Sequence, residues 1–177
     1  MTTDLRYPIG RFTPPDAATA TAVTYARLID EIERAPRELR AAVEGLTDAQ
    51  LDTPYRDGGW TVRQVAHHVP DSHLNAYVRF KLALTEDAPV VKPYDEARWA
   101  ELPDSRRPIA GSLAMLDALH DRWVALLRAM SDEQWRRGYV HPEQGRTVPL
   151  DEVLGLYAWH GRHHTAHVTR LRERMGW

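Results

Sequence analysis

Four stretches of this chain carry apolar residues at three- and four-residue intervals, and that period commits them to amphipathic helix. The first lies between Ala17 and Gly45, where Val23, Ala26, Leu28, Ile29, Ile32, Leu39 and Val43 recur, with a bend expected near Pro36. The second follows Trp60. Thr61 is its N-cap, Gln64 the capping-box partner, and Val62, Val65, Val69, Ala76 and Phe80 carry it to about Leu84. Pro70 inside that stretch predicts a kink or local unwinding. The third helix is expected after Gly111 and Ser112, through Leu113, Leu116, Leu119, Trp123, Leu126 and Leu127. The fourth is expected from Leu150 to Met175, with Pro149 in its first turn and Gly176 closing it.

The segments between these helices set the topology. Thr47 to Gln50 and Ser131 to Gln134 each read as a short capped turn, and each precedes a loop and then a histidine-bearing helix. The chain thus repeats one pattern twice: long helix, capped turn, loop, histidine helix. Residues 86 to 110 are rich in Pro, Asp and Glu and too long for a hairpin, which predicts a crossover, a lid or a contact surface. Residues 138 to 148 read as a loop, with at most a short extended piece near Val140. Residues 1 to 16, with Pro8, Pro14 and Pro15, read as an extended arm. The expectation is one all-α domain over residues 1–177, a four-helix bundle with a long crossover between helices two and three.

Composition narrows the function. The 177 residues include 23 basic and 25 acidic side chains, so no net field favours nucleic acid or an anionic membrane as a partner. There is no cysteine, which excludes disulfides, Cys-ligated zinc and a protein thiol nucleophile. No apolar run approaches a membrane span, and Met1 to Arg6 lacks the apolar core of a signal peptide, so a cytoplasmic protein is expected.

Of the nine histidines, seven fall in two clusters: His67, His68 and His73 on helix two, and His160, His163, His164 and His167 on helix four. The second cluster holds two i, i+4 pairs, and residues four apart share a helix face on which two imidazoles can hold one metal ion. Relative to the apolar stripe of Leu150, Leu154, Tyr157, Ala158, Val168 and Leu171, His164 projects roughly 30° from the centre and His160 roughly 70°. His167 lies about 90° away and His163 about 130°, on the face expected to meet solvent. The inward pair is therefore His160 and His164. On helix two, Pro70 spoils the same arithmetic, and the choice between His68 and His73 stays open. His68 shares a polar stripe with Ser72, Asn75 and Arg79.

Other groups read as ordinary surface or core. Asp30, Glu31 and Glu33 have the spacing of a solvated face, and His120 and His141 stand alone as structural or solvated residues. Trp60 and Trp159 adjoin the histidine clusters and suit either packing or a substrate platform. Gly161 stands where a zinc protease motif places glutamate, which excludes that class, and no phosphate loop or serine elbow is present.

The run Gly58-Gly59-Trp60-Thr61-Val62-Arg63-Gln64-Val65-Ala66-His67-His68-Val69, then Asp71-Ser72-His73, and Tyr157-Ala158-Trp159-His160 through His167-Val168, resembles the YfiT branch of the DinB/YfiT-like superfamily. The opening Tyr7-Pro8-Ile9-Gly10, the segment Lys92-Pro93-Tyr94-Asp95 and the ending Arg174-Met175-Gly176-Trp177 extend the likeness over nearly the whole chain. The resemblance implies a four-helix bundle with one divalent metal per chain, zinc or nickel foremost, on three histidines, and often a homodimer. It places the ligands at His68, His160 and His164. It also implies either transfer of a low-molecular-weight thiol such as bacillithiol to an electrophilic substrate, or hydrolysis by metal-activated water. A non-catalytic, metal-stabilised stress-response protein is the remaining alternative. Asn75, Arg79 and Tyr157 lie on faces suited to binding the small-molecule thiol or its partner.

Overall fold

The computed structural model of the chain describes residues 4–14 and 21–177. Four long helices dominate: α1 (Ala22–Val43), α3 (Val62–Thr85), α5 (Ala110–Arg128) and α7 (Leu150–Met175). Between them lie three single-turn helices, α2 (Asp48–Leu51), α4 (Glu96–Trp99) and α6 (Asp132–Trp135), a 3-10 turn at Pro103–Arg106, and a hairpin of β1 (Gly138–His141) and β2 (Arg146–Pro149). The starts are chemically marked. Thr47, Thr61 and Ser131 each form a complete capping box with the glutamine three residues on, satisfying backbone N–H groups the first turn leaves open. α7 ends where Gly176 takes a left-handed conformation at φ 69°.

Two apolar clusters fill the bundle, one at each end. α1 contributes Leu28, Ile29 and Ile32 to the first and Leu39, Ala42 and Val43 to the second. α7 has the same sense, with Leu150 to Ala158 in the first and Val168 and Leu171 in the second. α3 and α5 run the opposite way, entering the second cluster first. So α1 and α7 are parallel neighbours, α3 and α5 are parallel neighbours, and α1 with α5 and α3 with α7 are antiparallel. This arrangement requires the crossover. α3 finishes at one end of the bundle and α5 must begin at the other, so residues 86–109 run the length of the molecule. They are tied down on the way: Val91 N–H donates to Val140 O (3.1 Å), Val140 N–H to Pro89 O (2.9 Å), and Gln64 Nε2 to Ala100 O (3.0 Å).

Several expectations need correction. The segment expected as a loop from 138 is the β1–β2 hairpin, with Tyr139 opposite Val148 and both buried; four-residue strands are too short to leave a visible alternation in the sequence. Pro149 is not in the first helical turn but precedes it, with ψ 151°, because it still pairs with Gly138 in the hairpin. α5 begins at Ala110, ahead of Gly111 and Ser112, and without a side-chain cap. Pro70 does not interrupt α3, which is continuous from Val62 to Thr85. Glu31 is not solvated: it is buried between Arg27 and Arg162, the latter at 3.2 Å, while Asp30 and Glu33 do pair at the surface with Arg128. The part of the arm at residues 4–14 makes two turns and lies against α7. The expected helical positions 17–20 and arm residues 1–3, 15 and 16 fall outside the described residues.

Gly161 on α7 lies in tight contact with α1. A Cβ there would stand 3.1 Å from Ala35 Cβ and 3.7 Å from the His73 ring. Gly161→Val is therefore expected to cost about 2 kcal/mol, the range for overpacking a tight contact, read as a lower urea midpoint at unchanged slope. An unchanged midpoint would show that the two helices part without resistance.

Candidate metal centre

Between the two apolar ends the bundle has a layer of imidazoles. His68 and His73 enter from α3, His120 from α5, and His160 and His164 from α7. Ring nitrogens of His68, His160 and His164 lie within 4.8 Å of one another, and the Nε2 atoms of His68 and His160 are 3.3 Å apart. Tetrahedral coordination with metal–nitrogen distances of about 2.0–2.1 Å places neighbouring nitrogens roughly 3.3 Å apart, so His68 and His160 already have that spacing and the group as a whole needs only a small inward adjustment. His68 and His164 are buried, and Trp60 packs over both, with ring centroids 4.5 Å from His68 and 6.2 Å from His164.

Burial pushes His68 down to about 4 and holds His160 and His164 well below the ordinary imidazole value, with the neighbouring histidines adding to the effect. Near neutral pH all three rings are neutral and carry a free lone pair, the form that binds a metal. The Nδ1 of His164 is buried without a hydrogen-bond partner.

The orientation of His160 is set by a chain of hydrogen bonds whose origin is Pro36. A proline has no N–H, so the Ile32 carbonyl, four residues earlier in α1, has no helical donor. His120 Nδ1 donates to that carbonyl at 2.6 Å. With Nδ1 committed as donor, the neutral His120 ring can only accept at Nε2, and His73 Nδ1 donates to it at 2.8 Å. His73 Nε2 must then accept, and His160 Nδ1 donates to it at 3.1 Å. Burial lowers His120 to about 4 and drives His73 well below its normal value, which keeps the rings neutral and the logic intact. The chain ends by leaving the Nε2 of His160 as a bare lone pair, aimed at His68.

The other histidines are engaged elsewhere. His67 Nε2 donates to Arg107 O (2.9 Å), and its Nδ1 accepts from the Ser112 hydroxyl (2.7 Å), so it fastens the crossover to the start of α5. His163, expected to face solvent, is buried. It stacks on Trp159 with centroids 4.2 Å apart, and Tyr7 of the arm lies 6.0 Å away. His167 is covered likewise, donating to Arg6 O (3.2 Å) and stacking on Tyr55. The arm covers the face that helical geometry alone leaves outside. His120 is structural, as expected, but its part in orienting His160 went unseen. It occupies the apolar register of Leu116, Trp123 and Leu127, and a polar ring there was the available signal.

Beside His160 opens a cleft of about 260 Å³ lined by Ser72, Arg79, Tyr94, Tyr139, Glu96 and Tyr157 among others. Tyr157 thus stands next to His73 and His160, and Arg79 lines the same cleft as His160. Asn75 is not among the lining residues, and its amide donates to Asp71 O of its own helix (2.9 Å).

A four-helix bundle with an imidazole layer open to one cleft defines a class of proteins rather than a reaction. The sequence profile of the DinB superfamily matches residues 31–168, and the chain belongs to that superfamily, in its YfiT branch. It is 52% identical over 175 residues to the Bacillus subtilis protein named "Putative metal-dependent hydrolase YfiT", covering 98% of this chain and 97% of the relative. A Bacillus mycoides relative designated in the same way is 58% identical over 174 residues, 98% of this chain and 99% of its own. The solved structure of B. subtilis YfiT, described as a four-helix bundle of unusual topology, superposes with a TM-score of 0.94 over 98% of both chains. A mycothiol-dependent maleylpyruvate isomerase shares the fold at 18% identity and a TM-score of 0.65, over 81% of this chain and 60% of its own.

Proposed function

We propose that this chain is a divalent-metal-dependent enzyme that transfers a low-molecular-weight thiol to an electrophile, with His68, His160 and His164 as the metal ligands. The observation that carries the ligand assignment is the hydrogen-bond chain from Ile32 through His120 and His73, which presents the His160 lone pair 3.3 Å from His68 Nε2. With His160 Nε2 fixed as an acceptor, His68 Nε2 can donate to it across this contact, and a shared cation would take the place of that proton.

A divalent ion held by His68, His160 and His164 would supply Lewis acidity, enough to hold a thiol as its thiolate near neutral pH. The chain's own groups do the rest. Trp60 excludes water from one side of the imidazoles, the cleft beside His160 receives substrate, and the Tyr157 hydroxyl, in contact with Ser72 Oγ at 3.4 Å, borders its path. Thiol transfer is favoured over hydrolysis because the close donor group is made of histidines alone among the described residues, and the carboxylates that line the adjoining cleft, Glu96 and Glu143, are solvent-exposed and outside that group. A thiol is far more acidic than water and would need no carboxylate base. With no cysteine in the chain, the thiol must arrive as a cosubstrate. The mycothiol-dependent isomerase is an example of this architecture housing thiol chemistry, and the relatives' designation keeps hydrolysis as the second reading.

Metal-loaded protein incubated with a model electrophile and a panel of small thiols should yield the thiol adduct by mass spectrometry. Ester or amide cleavage without thiol consumption would establish the hydrolase instead, and neither product, with metal-dependent melting alone, a structural metal. His120→Phe separates orientation from ligation. It leaves the three ligands in place but removes the chain's anchor, and should weaken metal binding roughly 10–100-fold, the usual cost of losing an outer partner of a ligand. Metal affinity by chelator competition reads it, and an unchanged affinity would mean the chain does not act on His160.

A further inference from the structure

Two arginines on α3 have buried side chains, and they are treated differently. Arg63 is bridged by two carboxylates, Asp52 at 2.6 Å and Asp48 at 2.8 Å. Arg79, only 9% exposed, pairs with no carboxylate among the described residues. Its one hydrogen bond of good geometry runs from Nη2 to the Lys92 carbonyl (3.1 Å), and its guanidinium carbon lies 5.9 Å from the Tyr139 ring centre. A guanidinium is always charged and carries five N–H donors in a planar fork. Burying that charge without an anion is costly, and a position that bears the cost beside a reactive site has a use for it.

The cleft that Arg79 lines is the one that opens on His160. A second open donor lies in the same wall: the Tyr94 hydroxyl, buried near Ser72 and without a hydrogen-bond partner. Glu96 and Glu143 also line the cleft, but both are exposed and neither pairs with Arg79. They form an acidic rim around a cationic interior. His141, Tyr139 and Tyr157 complete the ionisable groups facing the space.

We propose that Arg79 makes this cleft a carboxylate subsite, so that the substrate presented to the imidazoles carries a carboxylate held by the guanidinium fork. Planar bidentate pairing matches arginine to a carboxylate, and the acidic rim disfavours bulkier polyanions while leaving room for a small acid. The proposal deepens the thiol-transfer reading by naming the chemistry of its cosubstrate, and rests on that reading only for the fate of the bound acid.

Binding is measured first on the metal-free chain, where a carboxylate cannot use an ion. 3-Mercaptopropionate and the neutral 2-mercaptoethanol are titrated while the Arg79 side-chain N–H resonance is followed by NMR. The acid is expected to bind at least roughly tenfold more tightly than the neutral thiol and to move that resonance, since a charge-assisted pair contributes about that much or more. Arg79→Met should erase the difference and Arg79→Lys restore part of it, with helicity by circular dichroism and metal content after loading retained. Equal binding of both thiols by the unaltered chain, or a preference that survives Arg79→Met, overturns the subsite. Propionate separates this from the reaction assigned above. If loaded enzyme consumes no thiol, yet propionate binds in an Arg79-dependent way, the thiol reading falls and the carboxylate subsite stands. Glu96→Gln tests whether the rim competes for the guanidinium: tighter binding of the acid is expected, and weaker binding would place the carboxylate away from Arg79.

Discussion

A chain carrying His68→Ala, His160→Ala and His164→Ala together is expected to bind no divalent metal under conditions where the unaltered, untagged chain binds one ion. The three nitrogens lie within 4.8 Å of one another, and loss of all three removes every donor of the group rather than loosening it. A single His164→Ala should already weaken binding by more than the roughly 10–100-fold typical of outer partners. Stability supplies an independent readout. Metal at about 100 times its dissociation constant stabilises a folded chain by about 2.7 kcal/mol, which at this size raises the melting temperature by roughly 5–10 °C. The unaltered chain should show that rise and the triple variant should not. Metal analysis checks the first statement and a melting curve with and without metal the second. Equal metal in both proteins would place the site elsewhere.

The metal-free protein is expected to lose much of its stability between about pH 6.5 and pH 4. Burial penalises the imidazolium and holds His68 and His120 at about 4 in the fold, against 6.5 for an exposed ring, and it holds His73, His160 and His164 well below that ordinary value too. In that window the unfolded chain binds protons that the folded chain refuses, so acid favours unfolding. The stabilisation is complete above pH 6.5 and is lost as pH falls through about 4. Each such ring contributes on the order of 3 kcal/mol across the window, so two or three reach the lower half of the roughly 5–15 kcal/mol typical of a domain. Asp71 acts in the opposite sense, since burial and Asp104 raise it to about 6, but it is one group against several. Urea midpoints measured at half-unit steps from pH 7.5 to 4 would test this, and a flat profile down to pH 5 would contradict buried neutral imidazoles. Bound metal should move the loss to lower pH, because protons must then displace the ion from its ligands.

Much of the fold was legible because helices announce themselves locally. The three- and four-residue spacing marks four apolar stripes, and Thr47, Thr61 and Ser131 with their glutamine partners mark three helix starts that the structure retains. The hairpin at Tyr139 and Val148 was not legible, because its strands stop before an alternation can be told from a polar loop. His160 and His164 were legible as an inward pair from one helix alone. The choice between His68 and His73 was not legible from periodicity, and the structure shows why both look core-facing: His68 approaches His160 at Nε2, while His73 approaches it at Nδ1. The burial of His163 and His167 was misjudged for a related reason. A helix carries no information about a distant segment that covers it, and the arm that does so lies about 150 residues away in sequence.

By itself, then, the sequence determined what depends on neighbours along one chain: the four helices, their caps, the need for a long crossover, the inward HxxxH pair and the absence of any internal thiol. The tertiary structure alone decided what depends on how one helix is rotated and shifted against another. It brought α3 and α7 into the register that sets His68 against His160, and laid α1 so that the carbonyl freed by Pro36 meets His120. It also left Arg79 lining a cleft with no carboxylate paired to its guanidinium among the described residues. Periodicity fixes a side chain's direction about its own helix axis, whereas a site forms where several axes meet, and those relative placements come from packing the two apolar clusters at either end of the bundle.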